Sequence, residues 1–358
     1  MKTFNRNSLL ERRFSPFRVL FDTMKKQLIA IIIFMTVFHY GCFHDSIKSE
    51  KNLLEMSIVE ASNGKFAKAK DLIEKFLTNN PENIDALEMS QVINDSISKN
   101  INRKSAVYFF KGLNCFNNGL LEESILNYSS SITHAPHWIK PYLGRAIDYR
   151  NLKDYNNAIK DYSKVIQLDP SNSSAFYNRG LTYKKNREKE LALLDFDMVI
   201  ELSPNWVDAY LNRGRLYYDM YENDKAIMDF DKAIELAPYL RDAHYYKGHI
   251  LNEKSEYESA INCYNNVLKI DPDFAYAFYY RGVVYNNMNK FDDAISDYKK
   301  AIEMNPNISE ANSNLGNIYF FFKNDKEKAC SCWKRACDLG ECFNFEQAVK
   351  SGQCPEEE

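Results

Sequence analysis

The sequence predicts an all-α fold, a right-handed α-solenoid of stacked antiparallel helix pairs, and three observations carry that expectation. Pro136, Pro170, Pro204, Pro238, Pro272 and Pro306 follow one another at a fixed interval of 34 residues. A fixed period of that size marks one supersecondary unit copied along the chain, each copy burying its apolar face against its neighbours. Within a copy such as Asp208 to Pro238, apolar and small residues recur at spacings of three and four in two blocks broken near Glu222-Asn223, the pattern of two antiparallel helices. Glycine is scarce at 12 residues against 24 Tyr and 23 Phe, which suits helices packed through large side chains and leaves little chain for phosphate-binding loops.

The N-terminal stretch stands apart from the repeats. Residues 1–23 hold Arg6, Arg12, Arg13 and Arg18 without an apolar period, and translation from Met24 would remove them. Met24-Lys25-Lys26 then precedes the apolar run Leu28 to Phe38, which is shorter than the roughly 20 residues of a spanning helix but fits the core of a signal peptide over 24–42. Gly41-Cys42 resembles the bacterial lipoprotein signal, in which a small residue precedes a cysteine that is acylated. That resemblance implies lipidation at Cys42, a membrane anchor and a place in the bacterial cell envelope facing the periplasm or exterior. His39 and Tyr40 depart from the family's pattern, and export as a secreted or periplasmic soluble protein is the alternative.

With each proline set at position 32 of a 34-residue unit, copies run over 105–138, 139–172, 173–206, 207–240, 241–274 and 275–308, with a last one from 309 to about 340. Position 8 is Gly in Gly112, Gly180, Gly214, Gly248, Gly282 and Gly316. Position 20 is Ala in Ala158, Ala192, Ala226, Ala260 and Ala294. Position 24 is aromatic in Tyr128, Tyr162, Phe196, Phe230, Tyr264 and Tyr298. Small residues let helices approach, and the large ring fills the space between adjacent pairs. With Tyr210, Gly214, Tyr217, Ala226, Phe230 and Pro238 in these columns, the chain resembles the tetratricopeptide repeat family, which implies a superhelix whose inner groove is lined by the first helix of each unit.

The ends of the array drift from the pattern. A first, degenerate copy occupies 50–83, with Gly64, Phe66, Ala69 and Pro81 in register. Residues 84–104 are then an insertion, expected to be helical through Ile93, to loosen around Asn100-Ile101-Asn102 and to act as a hinge or spacer. In the last unit the loop gains one residue around Lys323 to Lys328, so that Ala329, Trp333 and Ala336 take positions 20, 24 and 27. Residues 341–358 form a capping helix, Phe343 to Lys350, and a tail, because a terminal repeat must cover a face that would otherwise meet water.

Two columns vary together. Position 7 is Arg in Arg145, Arg179, Arg213 and Arg281, and in the same units position 23 is Asp in Asp161, Asp195, Asp229 and Asp297. Where position 7 is Lys111 or Lys247, position 23 is Asn127 or Cys263. A guanidinium donates two parallel hydrogen bonds to a carboxylate where an ammonium gains less, so these are read as structural pairs between the two helices of a unit.

The family's groove positions, 2, 5, 9, 12 and 13, supply the binding candidates: Phe109, Phe116, Lys140, Arg150, Tyr177, Lys184, Arg215, Tyr218, Tyr245, Tyr276, Tyr279 and Phe320. Aromatic and arginine side chains are typical anchors of peptide recognition. Lys140, Arg150, Lys184, Lys185 and Arg215 fall mostly in early units, whereas Asp208, Asp219, Asp242, Glu253 and Glu310 fall in later ones, so an extended ligand would be polarised. Relatives that clamp a C-terminal carboxylate need a Lys/Arg pair at positions 2 and 6. Here those positions read Lys140 with Gly144, Asp208 with Asn212 and Asp242 with Tyr246, so that specialisation is not expected.

Other chemistry is sparse. Cys330, Cys332, Cys337, Cys342 and Cys354 crowd the end. Cys330 and Cys337 share a helix face while Cys332 points elsewhere, which does not suit a four-ligand zinc site. In an oxidising compartment, Cys330 or Cys337 bridging to Cys342 or Cys354 would tie down the capping helix, and small apolar filler is the alternative. No histidine grouping, GxxxxGK or GxGxxG occurs. A formal charge of -3 draws the chain to neither nucleic acid nor an anionic membrane. The sequence thus predicts a non-enzymatic scaffold without cofactor or metal, binding a protein or peptide in an envelope assembly. A structural spacer lipoprotein, or an accessory subunit of a polysaccharide or cell-wall enzyme, are the alternatives.

Overall fold

The protein is described from a computed structural model that covers residues 53–355. The expected signal segment and Cys42 lie outside these residues. All regular structure among them is helical, and the chain divides into two compact units, Met1–Ala209 and Tyr210–Glu358.

The first unit holds α1 (53–62), α2 (Phe66–Asn79), α3 (Ile84–Ile97), α4 (Arg103–Asn117), α5 (Leu121–His134), α6 (Ile139–Asn151), α7 (Tyr155–Leu168), α8 (Ser173–Lys185) and α9 (Lys189–Leu202). After α10 (Val207–Asp219), within which the division falls, the second unit continues with α11 (Asn223–Leu236), α12 (Arg241–Glu253), α13 (Tyr257–Ile270), α14 (Ala275–Asn287), α15 (Phe291–Met304), α16 (Ser309–Phe321), α17 (Lys326–Asp338) and α18 (Phe343–Lys350). From α6 to α15 each first helix fills positions 1 to 13 and each second helix positions 17 to 30. The tight turn between them is closed at position 15 by a left-handed residue, as at Lys153, Arg187, Ser255 and Asn289. In the last unit that residue is Asn324, one position later, which places the extra loop residue before α17. The second helices end one residue before the turn to proline, where the pre-proline residue is pushed out of the helical region, as at Asp169 with φ -141° and ψ 89°.

Packing follows the columns. The position-24 rings Tyr128, Tyr162, Phe196, Phe230, Tyr264 and Tyr298 and the position-20 alanines are buried. The position-8 glycines make room for those rings. A Cβ on Gly112 would stand 2.7 Å from Tyr128, and one on Gly316 would stand 2.6 Å from Trp333. No conformational need is involved, only the close approach of two helices.

The position-7 and position-23 residues meet as a bidentate pair: Arg145 donates from Nε and Nη2 to Asp161 at 2.7 Å each, and Arg281 does the same to Asp297. A third bond reaches the preceding unit. Arg145 Nη1 donates to Ser129 Oγ at 2.8 Å, Arg179 Nη1 to Ser163 Oγ at 2.9 Å and Arg281 Nη1 to Asn265, all at position 25. Where Lys247 replaces Arg and Cys263 replaces Asp, the ammonium donates to Asp231, again position 25 of the preceding unit. The pair expected within one helix hairpin is therefore one arm of a staple across three helices.

The insertion is not a spacer. Ile84 follows Pro81 at the register of a first helix, and Asn83 caps α3 by accepting from the Ala86 amide at 2.9 Å. The helix runs past Ile93 to Ile97 and buries Ala86, Met89, Val92, Ile93 and Ser96 in one core with Phe66, Phe76, Phe110 and Tyr128. It is a first helix without a second. At the other end, disulfides join Cys330 to Cys354 and Cys337 to Cys342 with Cα separations of 5.6 and 3.9 Å, and hold α17 to α18 and its tail. Cys115, Cys263 and Cys332 are free.

Candidate functional site: the face of the first helices

Positions 2, 5, 9, 12 and 13 share one face of each first helix, and the two units present it differently. In the first unit, α3 lies against this face. With α1 it bounds a partly open pocket of about 40 Å³ lined by Leu54, Met89, Phe109, Leu113 and Ile147 and by the carboxylates Asp85 and Glu88. Lys140 Nζ donates to Glu88 at 2.7 Å and so fastens the face to α3. The pocket has room for one or two waters. Asp85 is buried, and burial together with the neighbouring Glu88 pushes its carboxyl up to about 6.

Two residues expected on the surface are not there. Phe109 is 8% exposed and packs on Trp138 at 4.9 Å between centroids, and Tyr177 is 1% exposed and stacks on Trp206 at 5.2 Å. Both tryptophans hold position 34 of the same units, where the chain turns toward the next helix. The sequence signal that marks a position-5 ring as core is thus a tryptophan at position 34, since Tyr245, with Phe274 there, stays half-buried. Phe116, Lys140, Arg150 and Lys184 are half-buried. Arg150 donates from Nη1 to Asn178 Oδ1 at 3.0 Å, and Asn178 Nδ2 donates to the Ser174 carbonyl, so this asparagine is engaged within the chain.

The first unit also hides a carboxyl that sequence reasoning missed. Asp148 is fully buried on α6 at position 10, a column that elsewhere reads Asn114, Thr182, Leu216, Ile250, Val284 and Ile318. Neither of its oxygens has a hydrogen-bond partner. Desolvation pushes the group up to about 7, partly opposed by Ser124 beside it. The column itself was the available signal.

In the second unit the face is a field of tyrosines. Tyr276 is 43% exposed, while Arg215, Tyr218, Tyr245, Tyr246, Tyr279, Tyr280 and Phe320 are half-buried. The rings run into one another: Tyr245 lies 5.7 Å from Tyr280, Tyr279 lies 4.7 Å from Tyr280, and Tyr218 lies 5.9 Å from Tyr246. His249, at position 9, stands edge-on to Tyr245 at 4.6 Å and to Tyr280 at 4.0 Å, and desolvation among these rings drives it down to about 4, so it is neutral at pH 7. Arg215 sits with its guanidinium 4.9 Å above the Tyr246 ring. Glu253 accepts from Tyr218 at 3.5 Å and helps push that phenol, already raised by burial, up to about 12.

Among the described residues, no group of three or more His, Cys, Asp and Glu is placed to hold a metal ion, and no helix is long and apolar enough to cross a membrane.

Family profiles described as TPR repeat match residues 148–186 and 248–289, and profiles described as tetratricopeptide repeat match 207–239, 275–308 and 297–331. The chain is a tetratricopeptide repeat protein. No curated protein matches it. Among solved structures it is similar to the C-terminal part of a TPR repeat-containing protein from Cytophaga hutchinsonii, at 21% identity and TM-score 0.58, over 68% of this chain and 98% of that one. It is also similar to a tetratricopeptide repeat protein from Parabacteroides merdae, at 19% identity and TM-score 0.52, over 70% and 98%. A MamA protein is similar at 26% identity and TM-score 0.45, over 48% and 94%. What the first two share with this tetratricopeptide repeat protein is its fold.

Proposed function

We propose that this tetratricopeptide repeat protein is a non-enzymatic scaffold that binds a protein or peptide on the first-helix face of its second unit and serves an assembly in the bacterial envelope. The observation that carries the reading is the tyrosine field from Tyr218 to Tyr280, rings that a folded core alone would bury and that here reach the surface around Tyr276. The first unit favours the spacer role instead, because α3 occupies its face along α4 and α6 and its position-5 rings Phe109 and Tyr177 are core.

Export fits the two disulfides of the C-terminal cap, since such bonds persist in oxidising compartments. Lipidation at Cys42 remains part of the proposal. Membrane fractionation and mass spectrometry of wild type and Cys42→Ala test it, and an unmodified Cys42 in the membrane fraction would sink it. The binding reading is tested by affinity purification from envelope fractions with wild type and a Tyr276→Ala/Tyr279→Ala variant. Loss of a partner from the variant is expected; identical recoveries would overturn the face as the binding surface.

A further inference from the structure

We propose that the tyrosine face of the second unit recognises a cationic segment, a stretch of a partner protein bearing arginine or lysine side chains. The proposal rests on the binding reading above and adds to it the chemistry of the ligand.

Charge on the face is the first argument. The groove positions within the second unit carry Asp219, Asp242, Glu253 and Glu310 against Arg215, and His249 at the centre is held neutral by burial among rings. Glu253 and Glu310 are both exposed. The field of Glu310 reaches the phenols of Tyr279 and Tyr280, and Glu341 adds to it at Tyr279. A negative rim around aromatic rings raises the local concentration of cations and disfavours anionic segments.

The second argument is that this surface already binds guanidinium groups of its own chain. Arg215 lies 4.9 Å above the Tyr246 ring. Arg241, which pairs with Asp242 at 3.0 Å and Asp271 at 2.8 Å, lies 4.5 Å above Phe274, itself in edge contact with Tyr245 at 5.5 Å. A ring beside a carboxylate, the arrangement that satisfies Arg241, recurs at Tyr279 and Glu310, and Tyr276, three residues before Tyr279 on the same helix, is open to solvent. An aromatic face with an adjacent carboxylate is the environment that stabilises a partly desolvated cation.

The first unit supplies the contrast. Lys140 on its face donates to Glu88 of α3, a helix with Asp85, Glu88 and Asp95 and no basic residue. There a basic residue of the first-helix face holds an acidic helix, whereas the tyrosine face of the second unit carries the opposite charge.

The test is fluorescence anisotropy on the full chain with both disulfides formed. The probes are labelled octapeptides that alternate serine with arginine, with glutamine or with glutamate. The arginine peptide is expected to bind about tenfold more tightly than the glutamine peptide, as one or two cation–π and carboxylate contacts would give. The glutamate peptide is expected not to bind, and added salt should weaken the arginine complex. Tyr276→Ala and Glu310→Gln should each cost about threefold to fivefold, with the melting temperature of each variant measured to show that it folds. Met228→Gln, on the second helix α11 and 71% exposed, should leave binding unchanged.

Equal binding of the three peptides that nevertheless weakens in Tyr276→Ala would overturn cationic recognition and leave the face as a binding surface. Binding that ignores Tyr276→Ala, or no binding of the arginine peptide at millimolar concentration, would overturn this proposal. Only the envelope-partner recoveries decide whether the broader reading falls with it.

Discussion

The two units share a scaffold column for column and differ in what the first-helix face must accommodate. In residues 53–209 the face is apolar and basic and is occupied along α4 and α6 by α3, and the unit conceals two carboxyls, Asp85 and Asp148, that burial forces toward the neutral form. In residues 210–355 it is aromatic and acidic, is left uncovered among the described residues of that unit, and conceals a histidine that burial likewise keeps neutral. The backbone repeat tolerates either arrangement because its stability comes from other columns: the Gly and ring contacts at positions 8 and 24 and the staple from position 7. A buried acid and a buried base, however, respond to pH with opposite signs.

The largest expected effect is at Asp148. Its folded pKa of about 7 lies above the ordinary 3.8, so the folded state binds more protons across that window and stability falls as pH rises from about 4 to 7. Asp148→Asn should therefore raise stability by about 4 kcal/mol at pH 8 and give no gain at pH 4, an order-of-magnitude figure from the size of the shift. Thermal unfolding at the two pH values checks it, and an equal effect at both would show that the carboxylate is not the misfit.

His249 should behave in the reverse sense. Its folded pKa of about 4 lies below the ordinary 6.5, so its contribution is intact above pH 6.5 and is lost as pH falls toward 4. His249→Phe should remove about 2 kcal/mol of acid sensitivity, read as a smaller drop in melting temperature between pH 7 and pH 4.5 than in wild type. If both variants change the pH profile in the same direction, the contrast between the units is wrong.

The smallest effect expected is at Lys140. Its pair with Glu88 is about a quarter exposed on both sides, so Lys140→Ala should loosen α3 by about 1 kcal/mol. Hydrogen exchange should quicken in α3 and stay unchanged in α12 and α14. Unchanged exchange in α3 would mean that its apolar face alone holds it.

Much of this was legible in the sequence, for a physical reason: in a repeat, each column is a measurement of one environment made several times. The proline interval, the glycine and ring columns and the matched Arg and Asp residues all report contacts that recur within or between neighbouring copies. The extra loop residue at Asn324 was visible because it shifted a column. What escaped were features that occur once. Nothing repeats α3, so its docking on the first-helix face could not be read from its half-unit length. The burial of Phe109 and Tyr177 depends on Trp138 and Trp206, residues that only those two units carry at position 34. The third arm of the arginine staple was hidden because position 25 varies among Ser129, Ser163 and Asn265 while its role as acceptor does not.

That variable acceptor gives the array a direction of growth. Each of these staples reaches from a position-7 cation back to position 25 of the copy before it, so a copied unit brings a plug for its predecessor and a socket for its successor. A gene duplication that adds a whole unit can therefore seat the newcomer with no compensating change on either side. The socket needs only an oxygen, which leaves Ser, Asn or Asp free to drift there, and a switch such as Arg to Lys at one plug is absorbed locally by an acidic socket, as Lys247 and Asp231 show.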